Sequence, residues 1–247
     1  MNKFLLSVVC VFAILFICSS CGHRRGVILG AGNKVTKNPG VTTFNSIDLS
    51  VPIKAIITLK DSANPSVQLE GYENLLEHIL VKVEGNKLVL YSDRHWNISF
   101  GDEDVIIARI TLPKLNSLYM KGSPDADIHG ALVTDNFELD ISGSSDVTID
   151  SMVTNEFSAS ISGNGDVKVK GGTTKHASYE ISGSGDISAY PLKADETTAR
   201  ISGSGDAEVT ALQKLTTRIS GSGDIKYRGH PSISQHVSGS GSVTDDN

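Results

Sequence analysis

The chain has 247 residues and a net charge of −6, which excludes the broad basic surface that a nucleic-acid phosphate backbone requires. Aromatic residues make up only 6% of it and glycine occurs 24 times. That balance, with many Ser and Thr, fits an all-β repeat protein.

Residues 1–20 read as an export signal rather than as fold. Lys3 supplies the positive start, 4–17 is an almost unbroken apolar run, and Cys18-Ser-Ser-Cys21 places small residues before a cysteine, as secretory processing needs. The stretch resembles the lipoprotein signal of bacteria, although Cys18 stands where that pattern prefers Leu. The resemblance implies that Cys21 becomes the first mature residue and carries acyl chains. An ordinary cleaved signal and a short membrane anchor are the alternatives. Cys10 and Cys18 leave with the signal, so the mature chain has Cys21 alone and forms no internal disulfide. One acyl chain binds a bilayer reversibly, at about 0.8 kcal/mol per buried methylene; several on one cysteine make a permanent tether. Residues 21–43, with His23, Arg24, Arg25, Lys34 and Lys37, read as a flexible spacer. It either lies near anionic headgroups or is simply soluble.

From 44 to 116 the pattern is β but irregular. Ile47/Leu49/Val51, Ala55/Ile57/Leu59 and Val67/Leu69 alternate with polar residues, as half-buried strands do. Glu84-Gly-Asn-Lys87 between Ile79/Val81/Val83 and Leu88/Leu90 predicts a hairpin. Residues 72–78 suit a helical turn or two. This region is expected to close one end of a stack formed by residues 117–244, because a bare end exposes unpaired strand edges.

From 117 to 244 one phrase recurs. Ile141-Ser-Gly-Ser-Ser-Asp146, Ile161-Ser-Gly-Asn-Gly-Asp166 and Ile181-Ser-Gly-Ser-Gly-Asp186 are followed by copies at 201–206, 219–224 and, fading, 237–242. Spacing is 20 residues, then 18, and Met120-Lys-Gly-Ser-Pro-Asp125 is a degenerate copy 21 residues ahead. A fixed period of this size means one structural unit stacked on itself. Each copy alternates with period two, as in Phe137/Leu139/Ile141, then again after the glycines, as in Val147/Ile149. Leu192 and Leu212 mark a third, less regular wall. The fold class is therefore all-β: a parallel β-solenoid, with the irregular region capping it. Gly143, Gly163, Gly183, Gly203 and Gly221 mark its corner.

Stacking turns each repeated residue into a column. Asp146, Asp166, Asp186, Asp206 and Asp224 form one, and unit charges about 5 Å apart repel by roughly 0.8 kcal/mol even in water. The column must be solvated, or neutralised by cations such as Ca²⁺. The spacing differs from the nonapeptide Ca²⁺ roll, and the simpler reading is that each Asp caps its own turn. The serines Ser142, Ser162, Ser182, Ser202, Ser220 and Ser238 read as an internal or corner hydroxyl ladder, since a nucleophile needs one poised base. Arg200, Arg218 and His236 share an outer column with Asp140 and Glu180, which makes them candidate binding residues or plain solvated surface. Trp96 beside His95 could stack on a sugar or plug a core gap. No catalytic residue, resident metal or cofactor is expected.

The strings Phe44-Asn-Ser-Ile-Asp-Leu-Ser-Val-Pro-Ile-Lys54, Ser66-Val-Gln-Leu-Glu-Gly-Tyr-Glu-Asn-Leu-Leu76, Gly85-Asn-Lys-Leu-Val-Leu90 and Ile110-Thr-Leu-Pro-Lys-Leu-Asn-Ser-Leu118, with the Ser-Gly-Ser-Gly-Asp repeats after them, carry a resemblance. The chain is similar to the family called "putative auto-transporter adhesin head GIN domain", frequent in Bacteroides-like lipoproteins, over roughly residues 44–229. The resemblance implies a β-solenoid in an envelope setting and carries no catalytic residue set. The expected function is a lipid-anchored, non-enzymatic adhesion or ligand-binding module of the bacterial envelope, placed at the outer membrane by that likeness, with a glycan or protein ligand. The alternatives are an enzyme acting on acidic polysaccharides through paired carboxylates, and a periplasmic structural or signalling partner. The stretch Gly22-His-Arg-Arg25 lacks an acidic export run, so surface and periplasmic orientations stay open.

Overall fold

A computed structural model describes residues 27–92, 97–98 and 105–247. The signal segment, Cys21, and the pair His95 and Trp96 lie outside the described residues. The repeats wind as a parallel β-solenoid. Its first wall stacks Ser117–Gly122, Asn136–Gly143, then 156–163, 176–183, 196–203, 214–221 and Ser232–Gly239 in register. Its second wall stacks 125–129, 147–149, Val167–Val169, Ile187–Ser188, 207–210, Ile225–Arg228 and Val243–Asp245. A short third wall runs through 131–133, 151–154, 172–174 and 192–194.

Period-two alternation sends one side chain in two into the bore, and the bore residues are sized to fit one another. The column Leu139, Ala159, Tyr179, Ala199 sets one large ring between two alanines, beside Phe137 and Phe157. Those two rings stack with centroids 5.8 Å apart, and Tyr179 meets Phe157 edge-on, also at 5.8 Å. All three are at most 2% exposed. Each buried side chain of this size contributes roughly 1.5–3 kcal/mol, and edge-on aromatic contacts add a little more.

The glycines set how closely rungs approach. Gly163 has φ of 141°, which L side chains avoid. At Gly185 an added Cβ would collide with the carbonyl oxygen of Gly165 and press on Ile161 Cγ2 at 3.0 Å. The phrase is thus a contact between backbones, renewed at every turn.

Changes in repeat length have local causes. The 21-residue spacing comes from an extra residue near Gly130, where the register shifts between Ile128 and Ala131. The drop to 18 comes from the third wall, where the register shifts after Ala194 and Ala194 pairs with Ala211. Leu192 is buried, as its apolar character suggests, but Leu212 is 46% exposed. Three residues are gone before Ala211 and one is regained by Lys214, so Ala211 takes an inward place and Leu212 faces out.

The N-terminal region does more than cap. Ser46–Ser50 lies between Lys87–Ser92 and Ser117–Gly122, and Lys54–Leu59 lies between Ile107–Leu112 and 125–129. It therefore adds two parallel rungs, whose order in space is not their order in the chain. The end is then closed by antiparallel strands: Ile79–Glu84 on the first wall, and Ser66–Tyr72 followed by Lys34–Lys37 on the second. The hairpin at Gly85 is as expected. A single helical turn, Glu73–Leu76, buries Leu75 and Leu76. The stretch 21–43 is not a free spacer along its length. Lys34–Lys37 pairs with 69–72, and Asn74 holds 29–31 by accepting from the Ala31 N–H at 3.0 Å and donating to the Leu29 carbonyl at 2.8 Å.

Candidate binding face

The aspartate column is built into the ladder. Asp146 N–H donates to Asp125 Oδ1 (3.0 Å), Asp166 to Asp146 (3.2 Å), Asp186 to Asp166 (2.9 Å), Asp206 to Asp186 (2.8 Å) and Asp224 to Asp206 (2.7 Å). Ser242, which stands where the next Asp would be, donates to Asp224 from its N–H and its hydroxyl. The expectation that each Asp caps its own turn is corrected: each carboxylate caps the following rung. The reason is spacing, because rungs about 4.8 Å apart bring the next N–H within reach of a short Asp side chain. Among the described residues no group of three His, Cys, Asp or Glu side chains is arranged to hold a metal ion.

The serine column faces outward. Ser142, Ser162, Ser182, Ser202, Ser220 and Ser238 are all exposed on the rim of the first wall, so it is no internal ladder. Apart from Ser145, the hydroxyls buried within the repeats are threonines that lie outside the repeated phrase. At the corner between third and first walls Thr134 donates to Asn116 Oδ1 (2.8 Å), Thr154 to Thr174 (2.9 Å) and Thr174 to the His176 carbonyl (3.1 Å). Their signal was present in sequence, as Thr-x-Asn/Glu/His just ahead of Phe137, Phe157 and Ala177.

Outside that corner lies a groove of about 640 Å³. Its floor is the outward column Ser117, Glu138, Ser158, Ser178 and Thr198, and its rim is Asn136, Glu156, His176 and Glu196. Small hydroxyl residues leave the floor low, while longer side chains two positions earlier raise the rim. Glu138 is held by the Tyr119 hydroxyl at 2.7 Å, and that hydrogen bond raises the Tyr119 pKa above the ordinary phenol value. His176 Nδ1 lies 3.8 Å from Glu196. Nothing in the sequence marked this groove, because it arises from a difference in side-chain length between two columns.

The structure also aligns the expected outer column. Tyr119, Asp140, Ser160, Glu180, Arg200, Arg218 and His236 succeed one another rung by rung, so Arg200, Arg218 and His236 are adjacent and exposed. On the second wall His129 Nδ1 and Lys170 Nζ grip Asp150 at 2.9 and 3.1 Å. The His129 hydrogen bond, helped by Lys170, holds the Asp150 carboxyl below the usual range. No helix among the described residues is long and apolar enough to cross a membrane.

Solved structures share this architecture. One from Bacteroides fragilis, described as a "putative adhesin", is 30% identical, with 89% of this chain and all of that one covered at a TM-score of 0.84. A "putative lipid binding protein" from Parabacteroides distasonis is 23% identical over 90% of this chain and all of its own, with a TM-score of 0.70. A "putative adhesin" from Parabacteroides merdae is 21% identical over 90% of this chain and 99% of its own, with a TM-score of 0.71. Comparison with curated proteins returns no match. The sequence of residues 43–231 matches the profile described as "Putative auto-transporter adhesin, head GIN domain", and the chain belongs to that family.

Proposed function

We propose that this protein is a lipid-anchored module of the bacterial envelope that binds an extended polar ligand without transforming it. The observation that carries this reading is the groove of about 640 Å³ crossing several rungs of the first wall, on a face where hydroxyl columns alternate with a column of changing charge. Such a face offers many weak, equivalent hydrogen bonds along a line, which suits a polymer chain, and its Ser and Glu lining suits sugar hydroxyls better than an acyl tail. The 30% identical relative described as an adhesin points the same way. Attachment rests on Cys21, which acylation would fix to the membrane.

The test is a glycan and protein array probed with the purified protein, beside fractionation of cells carrying Cys21→Ser. Saturable binding abolished by filling the floor with Ser158→Trp and Ser178→Trp, and release of the Cys21→Ser protein from membranes, are the expected results. Turnover of an acidic glycan that is lost on a single carboxylate substitution would overturn the non-catalytic reading.

A further inference from the structure

The described arginines divide into two kinds. Arg109 lies 3.6 Å from Glu70 and Arg228 lies 3.1 Å from Asp246, each held by a carboxylate on or just after a neighbouring strand. Arg200 and Arg218 have none within ion-pair distance among the described residues. They sit instead directly over one another on paired strands, with His236 next in line. Like charges placed opposite across strands repel, and here they do so in a chain that has an acidic surplus of −6. Glu180, the next residue down the column, pairs in register with Arg200 but is not bonded to it.

We infer that Arg200, Arg218 and His236 form an anion-binding stripe that takes the carboxylate or sulfate groups of an acidic polysaccharide. Rungs set the two arginines about 4.8 Å apart, and guanidinium groups pair with both kinds of oxyanion through two parallel hydrogen bonds. Hydroxyl columns flank the stripe on both sides: Thr198, Thr216 and Ser234 on one, Ser202, Ser220 and Ser238 on the other. These supply donors and acceptors for the sugar hydroxyls between the charged groups. The same polar flanks offer nothing to a bilayer interior. The nearby carboxylates Glu180 and Glu196 limit the run of positive charge and disfavour a long polyphosphate. This proposal deepens the ligand-binding reading, on which it rests, by naming the ligand's charge and its place at the C-terminal end of the first wall.

The experiment measures binding of the full mature protein to heparin, polygalacturonate and neutral dextran at several salt concentrations. Binding to at least one acidic polymer, weakened by salt, is expected. The double variant Arg200→Gln/Arg218→Gln should lose about tenfold or more of that affinity with an unchanged thermal transition. A charge-matched Lys168→Gln/Lys226→Gln variant on the second wall should bind as the parent does. Failure to bind either acidic polymer, or equal loss in both variants, overturns the stripe. If neither acidic polymer binds but another ligand on the array binds the parent and the arginine variant equally, the stripe falls and the adhesion reading stands. If no ligand binds parent or variant, both fall.

Discussion

Two substitutions of Asp186 should move stability in different directions. Asp186 Oδ1 accepts the Asp206 N–H at 2.8 Å, and Asp166 and Asp206 flank it in the column. Replacement by Ala removes a hydrogen bond to a charged group, at about 1.5–3 kcal/mol, with the lower end apt for an exposed site. It also removes two repulsions of roughly 0.9 kcal/mol each at 4.8 Å in water, which physiological salt cuts by about half. Asp186→Ala should therefore lose about 0.5–1.5 kcal/mol. Asp186→Asn keeps a carbonyl oxygen in the same place. A neutral acceptor is about half as strong, a loss that the relieved repulsion offsets, so Asn should be neutral or slightly stabilising, and more so at low salt. Urea midpoints read this directly, measured with EDTA and again with millimolar Ca²⁺. Asn as damaging as Ala, or a parent protein markedly stabilised by Ca²⁺ alone, would refute the ladder reading and restore the column as a cation site.

Gly185→Ala should be among the most damaging single changes, costing about 3 kcal/mol or more, because the new Cβ meets the Gly165 carbonyl rather than a side chain that can move; loss of cooperative unfolding or of soluble protein would register it. Ser145 stands where later rungs have glycine, fully buried with its hydroxyl unpartnered. Ser145→Ala should therefore stabilise by about 1 kcal/mol, seen as a raised urea midpoint. Asp150, whose carboxyl is held below its ordinary value by His129 and Lys170, contributes stability that is complete above the unfolded carboxylate pKa and fades as pH falls through the folded one. Asp150→Asn should thus lower stability at pH 6, by a few tenths of a kcal/mol at most because the site is partly exposed and screened, and by less as pH falls below the unfolded carboxylate range.

The repeats were legible in sequence because one physical demand, inward residue over inward residue, recurs at every turn. Phe137, Phe157, Tyr179 and Ile181 all lie where alternation puts them. Legibility fails wherever the chain leaves that rule. The interleaving of Ser46–Ser50 between Lys87–Ser92 and Ser117–Gly122 arises from no local pattern, since strand order in space is a long-range property. Leu212 misled because hydrophobicity alone ignores the three residues missing before it. The groove was invisible for another reason. It depends on Ser158 and Ser178 being short beside Glu156 and His176 on adjacent outward columns, a contrast that exists only once rungs are stacked.

The same stacking explains where recognition can reside. A residue that repeats from rung to rung has its own copies as neighbours, and where its side chain reaches the next rung those copies satisfy it: Asp186 holds Asp206, and Thr154 holds Thr174. Repetition therefore consumes polar groups in scaffolding, whatever their chemistry would suggest singly. Beside the exposed serine column, columns whose identity changes along the rod retain unspent groups. Asp140, Ser160, Glu180, Arg200, Arg218 and His236 make one such column, and Asn136, Glu156, His176, Glu196 and Lys214 make the other. They run parallel on the first wall, with the column Glu138, Ser158, Ser178 and Thr198 between them, and they border the groove at one end and carry the arginines at the other. A ligand lying along this wall would meet acidic groups first and cationic groups last, so its orientation would be set by the order of the rungs.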